Sequence, residues 1–158
     1  MKIILRLFFI FFSFLSFAQI NDSNVNLLIN KISQTEAKGD TTSNDYANLI
    51  NNLAIYYTNK GMYTQAEPLF IKVSTIRKSV YGENHLSYAT SLNNLAFLYQ
   101  KQGRYIEAEP VLLKSLQIEK SILGSDNSDY LDSYEMLGFL YENLNKYDYA
   151  LKVFNEVL

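Results

Sequence analysis

A chain of 158 residues, 48% apolar and 19% charged, is long enough and apolar enough to bury a core, which argues against disorder. A formal charge of −2 excludes the basic footprint of a nucleic-acid binder. The absence of cysteine excludes disulfide frameworks, thiolate metal sites and thiol nucleophiles.

The first element in chain order is residues 1–18. Lys2 and Arg6 precede an apolar run from Leu7 to Leu15, which ends in Ser16-Phe17-Ala18. Small residues at 16 and 18 suit a signal peptidase, so cleavage before Gln19 is expected. The uncharged stretch from Leu7 to Ile20 is 14 residues, whereas a helix needs about 20 to span the hydrocarbon core. A retained anchor is therefore disfavoured, and no cysteine follows to carry a lipid. Without Lys2 and Arg6 the net charge becomes −4, which gives polybasic membrane attachment no support. An exported protein is expected, and periplasmic, cell-surface and secreted fates share this signal.

Residues 19–42 form a second region. Val25, Leu28, Ile29 and Ile32 have helical spacing and predict a capping helix. From residue 43 onward the chain repeats itself every 42 residues, with units at about 43–84, 85–126 and 127–158. Tyr46-Ala47 returns as Tyr88-Ala89, Asn51-Asn52-Leu53-Ala54 as Asn93-Asn94-Leu95-Ala96, and Ala66-Glu67-Pro68 as Ala108-Glu109-Pro110; 17 of 42 positions are identical. Tyr130, Leu137, Tyr141, Tyr147 and Ala150 continue the register, with Gly138 in place of alanine and Asn145 in place of glycine. A period of this length indicates stacked supersecondary units.

Inside a unit the spacing is helical twice over. Ile50, Leu53, Ala54 and Tyr57 mark one face of a first helix, and Leu92, Leu95, Ala96 and Tyr99 repeat it. Ala66, Leu69, Phe70, Val73 and Ile76 mark the second helix, as do Ala108, Val111, Leu112, Leu116 and Ile118. Gly61, Gly103 and Asn145 stand where a left-handed C-cap is needed. Thr64 and Glu67 have capping-box spacing, and Pro68 and Pro110 are expected near the first turn. Ala54 with Ala66, and Ala96 with Ala108, are expected at close helix approaches; a large side chain at Ala96 would cost about 1–3 kcal/mol.

Leu95-Ala96, Tyr99, Gly103-Arg104-Tyr105, Ala108 and Leu112 resemble the tetratricopeptide repeat. The 42-residue period and SLNNLAFLYQKQGRYIEAEP are similar to the longer variant of kinesin light chains and many bacterial repeat proteins. The resemblance covers about residues 43–158 and implies an all-α superhelical solenoid of antiparallel helix pairs. It also implies that the first helices line a concave groove that binds a peptide or partner protein. The groove positions are Asn48, Asn51, Asn52, Ile55, Asn93, Asn94, Phe97, Lys101, Glu135 and Phe139. In the family, asparagines at such places hydrogen-bond a bound peptide backbone. A side-chain amide supplies both donor and acceptor for that. Ile55, Phe97 and Phe139 would add an apolar strip, and Asn93→Ala is expected to weaken binding without lowering stability.

Nothing converges for catalysis. His85 is the one histidine and falls in a turn; Glu67 and Glu109 repeat in register and suit helix N-termini. Asp126, Asp129 and Asp132 lack the spacing, glycine and closing glutamate of a calcium loop. No cofactor, metal or nucleic acid is expected. The expected function is a non-enzymatic interaction scaffold. The alternative is the recognition part of a larger exported enzyme, such as a caspase-like protease or a signalling protein. The last unit stops about two-thirds through its second helix, from which self-association, or a longer parent chain, is expected.

Overall fold

The computed structural model describes residues 23–157; the expected signal segment, 1–18, lies outside them. The chain divides into two units, residues 1–41 and 42–158. In the first, residues 23–37 form helix α1, which carries Val25, Leu28, Ile29 and Ile32. It closes at Gly39, whose N–H donates to the Glu36 carbonyl at 2.9 Å.

The second unit is a run of antiparallel helix pairs: α2 (Asn44–Asn59) with α3 (Tyr63–Tyr81), α4 (Leu86–Lys101) with α5 (Tyr105–Leu123), and α6 (Ser128–Asn143) with α7 (Tyr147–Val157). Each helix packs on its neighbours in the chain, and the first helices α2 and α4 also touch. With α1, that makes seven helices among the described residues.

The same turn joins the helices of every pair. Gly61 and Gly103 have φ of 72° and 73°, and Asn145 takes 58° at the third place. The next N–H reaches back to Tyr57, Tyr99 and Tyr141 carbonyls at 2.8 Å in all three pairs. Asparagine is the residue other than glycine that best tolerates this conformation, so the substitution leaves the turn unchanged.

The alanines lie where their repetition places them. Ala54, Ala66, Ala96 and Ala108 are all fully buried. Phe70 fills the space beside Ala54 and Ala66 and meets Leu95 and Leu98 of α4, which ties the first pair to the second. Ala96, Ala108, Leu112, Leu137, Leu140 and Val153 do the same for the second and third pairs. Gly138, in the register of Ala54 and Ala96, has a packing reason of its own. A Cβ there would lie 2.5 Å from the Phe154 ring, so the larger aromatic takes the volume that alanine fills elsewhere.

Two local expectations are corrected. Thr64 and Glu67 form no capping box: Met62 is the N-cap of α3 without a side-chain bond, and the Thr64 hydroxyl bonds the Gln65 side chain instead. Pro68 and Pro110 lie in the second turn of α3 and α5, beyond the first-turn positions whose N–H groups are free anyway. Each therefore removes one helical bond. The carbonyls left over belong to Thr64 and Ile106, both exposed residues, so water can serve them.

Candidate functional site

The faces of α2, α4 and α6 opposite their buried Leu-Ala edges line up through the repeat. Asn48, Thr90 and Asp132 are exposed, as are Asn59, Lys101 and Asn143. Between them stand Ile55, Phe97 and Phe139, exposed by 38%, 39% and 49%. Lys101 Nζ lies 5.0 Å from the centre of the Phe97 ring. Phe139 meets Phe154 edge-on at 5.3 Å. Asn52 and Glu135 are exposed too. Asn48, Ile55, Phe97, Lys101 and Phe139 thus share one face, with Asn52 and Glu135, in the registers of Asn94 and Asn93, on its flanks.

Asn51, Asn93 and Asn94 do not lie free on it. Asn51 is 8% exposed, and its Oδ1 accepts from Asn94 Nδ2 at 3.0 Å, which joins α2 to α4. Asn93 Nδ2 donates to Glu119 Oε1 at 2.6 Å and to Ser133 Oγ at 2.7 Å, which joins α4 to α5 and α6. The reason is angular. Residues turn about 100° apart around a helix, and a first helix has neighbours on both flanks. Residues 51 and 93 point toward the following first helix, and 94 toward the preceding one. Even Asn48, although exposed, accepts from Arg77 at 2.9 Å. Three of the four asparagines expected to hold a peptide backbone therefore hold the array together, and the expectation that Asn93→Ala spares stability is corrected on that ground.

The partners of these amides were not evident in sequence. Arg77 and Glu119 occupy the same repeat position with opposite charge, and both are buried, at 8% and 6% exposure. Arg77 reaches Asn48 and the Ser87 carbonyl. Glu119 has Asn93 and, at 3.4 Å, Ser115. Burial pushes the Glu119 carboxyl above the usual carboxylate range, although bonds from Ser133, Asn93 and Ser115 offset part of this. Among the described residues Glu119 Oε2 and Asn93 Oδ1 have no hydrogen-bond partner. The only hint in the sequence was a charge inversion between Ile76-Arg77-Lys78 and Ile118-Glu119-Lys120, in a stretch that otherwise repeats.

Glu67 and Glu109 also act across units rather than at their own helix ends. Glu67 pairs with Arg104 at 2.7 Å and Glu109 with Lys146 at 2.8 Å. Bonds to Glu107 and Glu67 raise the Arg104 pKa. Glu83, in the turn after α3, meets both Lys78 and Lys114, whose hydrogen bonds hold its carboxyl down to about 2. His85 caps α4: its Nδ1 accepts from the Ser87 N–H at 3.0 Å, and its ring stacks on Tyr81. Asn127 caps α6 through the Asp129 N–H. Among the described residues no three His, Asp or Glu side chains are placed to hold a metal ion, and no helix is long and apolar enough to cross a membrane.

Three helix pairs in one 42-residue register, joined by the same left-handed turn, agree with what sequence comparison finds: a tetratricopeptide-repeat profile matches residues 45–105 and again 88–158. The chain belongs to the tetratricopeptide repeat family. Such repeats are generally protein–protein interaction modules, and no catalytic domain is evident beside them. No curated protein matches the sequence.

Solved structures show the same fold. BtubC (BKLC) from P. vanneervenii superposes with a TM-score of 0.82 at 19% identity, over 87% of this chain and 55% of that one. A Podosopora anserina protein described as a kinesin light chain with nearly identical TPR-like repeats gives 0.73 at 23% identity, over 87% and 65%. A point variant of that protein gives 0.74 at 22% identity, with the same coverage. The chain thus spans between about half and two-thirds of the length of these tetratricopeptide neighbours.

Proposed function

We propose that this tetratricopeptide chain is a non-enzymatic scaffold that takes an extended segment of a partner protein across the exposed faces of α2, α4 and α6. One observation carries the reading. Ile55, Phe97 and Phe139 recur at intervals of 42 residues on the solvent side, where the core has no use for them. An apolar strip kept in register on the first helices, flanked by polar residues, has the form of a recognition surface.

The test is a random peptide library displayed on phage and panned against the full chain. Selected peptides are expected to lose about tenfold or more in affinity on Phe97→Ser. The same variant should keep its stability to within about 1 kcal/mol, because the ring is exposed. Peptides that bind Phe97→Ser as well as the parent would sink the reading.

We also propose that the protein is exported, on the strength of Lys2, Arg6, the apolar run that follows and the small residues Ser16 and Ala18. Intact mass of the protein from its own source should match a chain that begins at Gln19. A retained Met1 would refute export by cleavage.

A further inference from the structure

The three first helices differ in charge, and the difference runs one way. α2 carries one charged residue, Asp45, and α4 one, Lys101. α6 carries Asp129, Asp132, Glu135 and Glu142, all exposed, and no basic residue. Elsewhere in the array Glu67, Glu83, Glu107 and Glu109 each meet a lysine or arginine. Among the described residues the four acids of α6 meet none. A row of unpaired carboxylates beside an apolar strip costs self-repulsion and is relieved by a bound cation.

A second observation lies beneath that row. Glu119 reaches the junction of α4 and α6 from behind, 6% exposed, with Oε2 unpartnered. Its amide partner Asn93, half-buried on α4, leaves Oδ1 unpartnered as well. Both atoms are acceptors. Buried acceptors without donors are costly, and here a pair of them adjoins the acidic helix and lacks the same thing, a donor. Over the Phe97 ring stands Lys101, which disfavours a second positive charge over α4.

We propose that the segment bound on this face is an extended peptide carrying lysine or arginine at one end, with its basic residues over α6 and its apolar residues against Ile55 and Phe97. This rests on the reading of the face as a peptide groove and adds the chemistry of the occupant and its polarity. Asp132 and Glu135 meet the basic side chains from the solvent side. The apolar strip gives affinity. The uneven charge decides which sequences are accepted and which way round they lie.

The panning experiment separates the two claims when the selected peptides are sequenced and the best is remade with glutamine in place of lysine and arginine. Affinities are then measured by fluorescence anisotropy at low and moderate salt, on the full chain and on the Asp132→Asn/Glu135→Gln double variant. The selected pool should be net positive. The glutamine peptide should bind the parent chain about tenfold more weakly. That gap should shrink to about twofold on the double variant, and with added salt. Neutral or acidic peptides that still depend on Phe97 would overturn this inference and leave the groove standing. Failure to enrich any peptide, or binding indifferent to Phe97→Ser, would overturn both. A doubling of mass in solution that Phe97→Ser abolishes would make a second copy the occupant, and would also overturn it.

Discussion

Phe70→Ala is expected to cost about 3–5 kcal/mol of stability. The ring is 1% exposed and is enclosed by Ala54, Ala66, Leu95 and Leu98. Two of those four are alanines at a close helix approach, with no side chain to swing into the hole. The other two sit on α4, where shifting them would pull apart the second pair. The cavity therefore stays largely open, which is the condition for a loss at the high end of the range. It also lies at a junction. In a linear array, stability is a sum of each unit's own and its contacts with neighbours, and Phe70 supplies both. Urea unfolding followed by tyrosine fluorescence and by circular dichroism should show an early transition of the α2–α3 pair and then the remainder. Ile71→Ala, one residue on and 45% exposed, should change the midpoint little. A loss below about 1 kcal/mol for Phe70→Ala would mean that the first pair is not coupled to the second through this ring.

The repeat made that core legible in the sequence. A side chain that recurs every 42 residues at helical spacing has to sit in the same environment each time, so Ala54 and Ala96, or Phe70 and Leu112, declare themselves as a set. The left-handed turn was legible for a related reason: few residues tolerate φ near 60–70°, and glycine, glycine and asparagine at 61, 103 and 145 are among them. The exposed strip of Ile55, Phe97 and Phe139 followed from the opposite face of the same helices.

What failed was the assignment of polar residues to solvent or to neighbours. Helical spacing divides a helix into a buried and an open side, but a first helix here has flanks as well, and Asn51, Asn93 and Asn94 fall on the flanks. An amide at such a place can serve a guest peptide or the next helix equally well by its chemistry, and only packing distinguishes them. The ion pairs were hidden by distance along the chain rather than by chemistry. Glu67–Arg104 and Glu109–Lys146 share a constant offset of 37 residues, a correlation visible only once the repeat is known and pairs between units are sought.

Asn93→Ala is expected to cost about 1–3 kcal/mol at neutral pH, far more than an ordinary surface amide. The substitution removes the donor that meets Glu119 Oε1 at 2.6 Å and Ser133 Oγ at 2.7 Å. Glu119 Oε2 already has no partner among the described residues, so the carboxylate would be left with the hydroxyls of Ser133 and, at 3.4 Å, Ser115. Because burial raises the Glu119 pKa in the folded chain, the folded state holds the proton more tightly than the unfolded one. Its contribution to stability is complete below the ordinary carboxylate pKa of about 4.3 and is lost as pH rises through the raised value. Asn93→Ala takes away a bond that favours the charged form and pushes the pKa further up. Its cost should therefore be larger at about pH 7 than at about pH 4. In a Glu119→Gln background the charge is gone, and the same substitution should cost less. A double-mutant cycle should return a coupling of about 0.5–3 kcal/mol. Equal costs at both pH values and in both backgrounds would mean that the amide does not support the carboxylate. Glu119→Gln by itself should leave the chain at least as stable as the parent near neutral pH, since it relieves a buried charge.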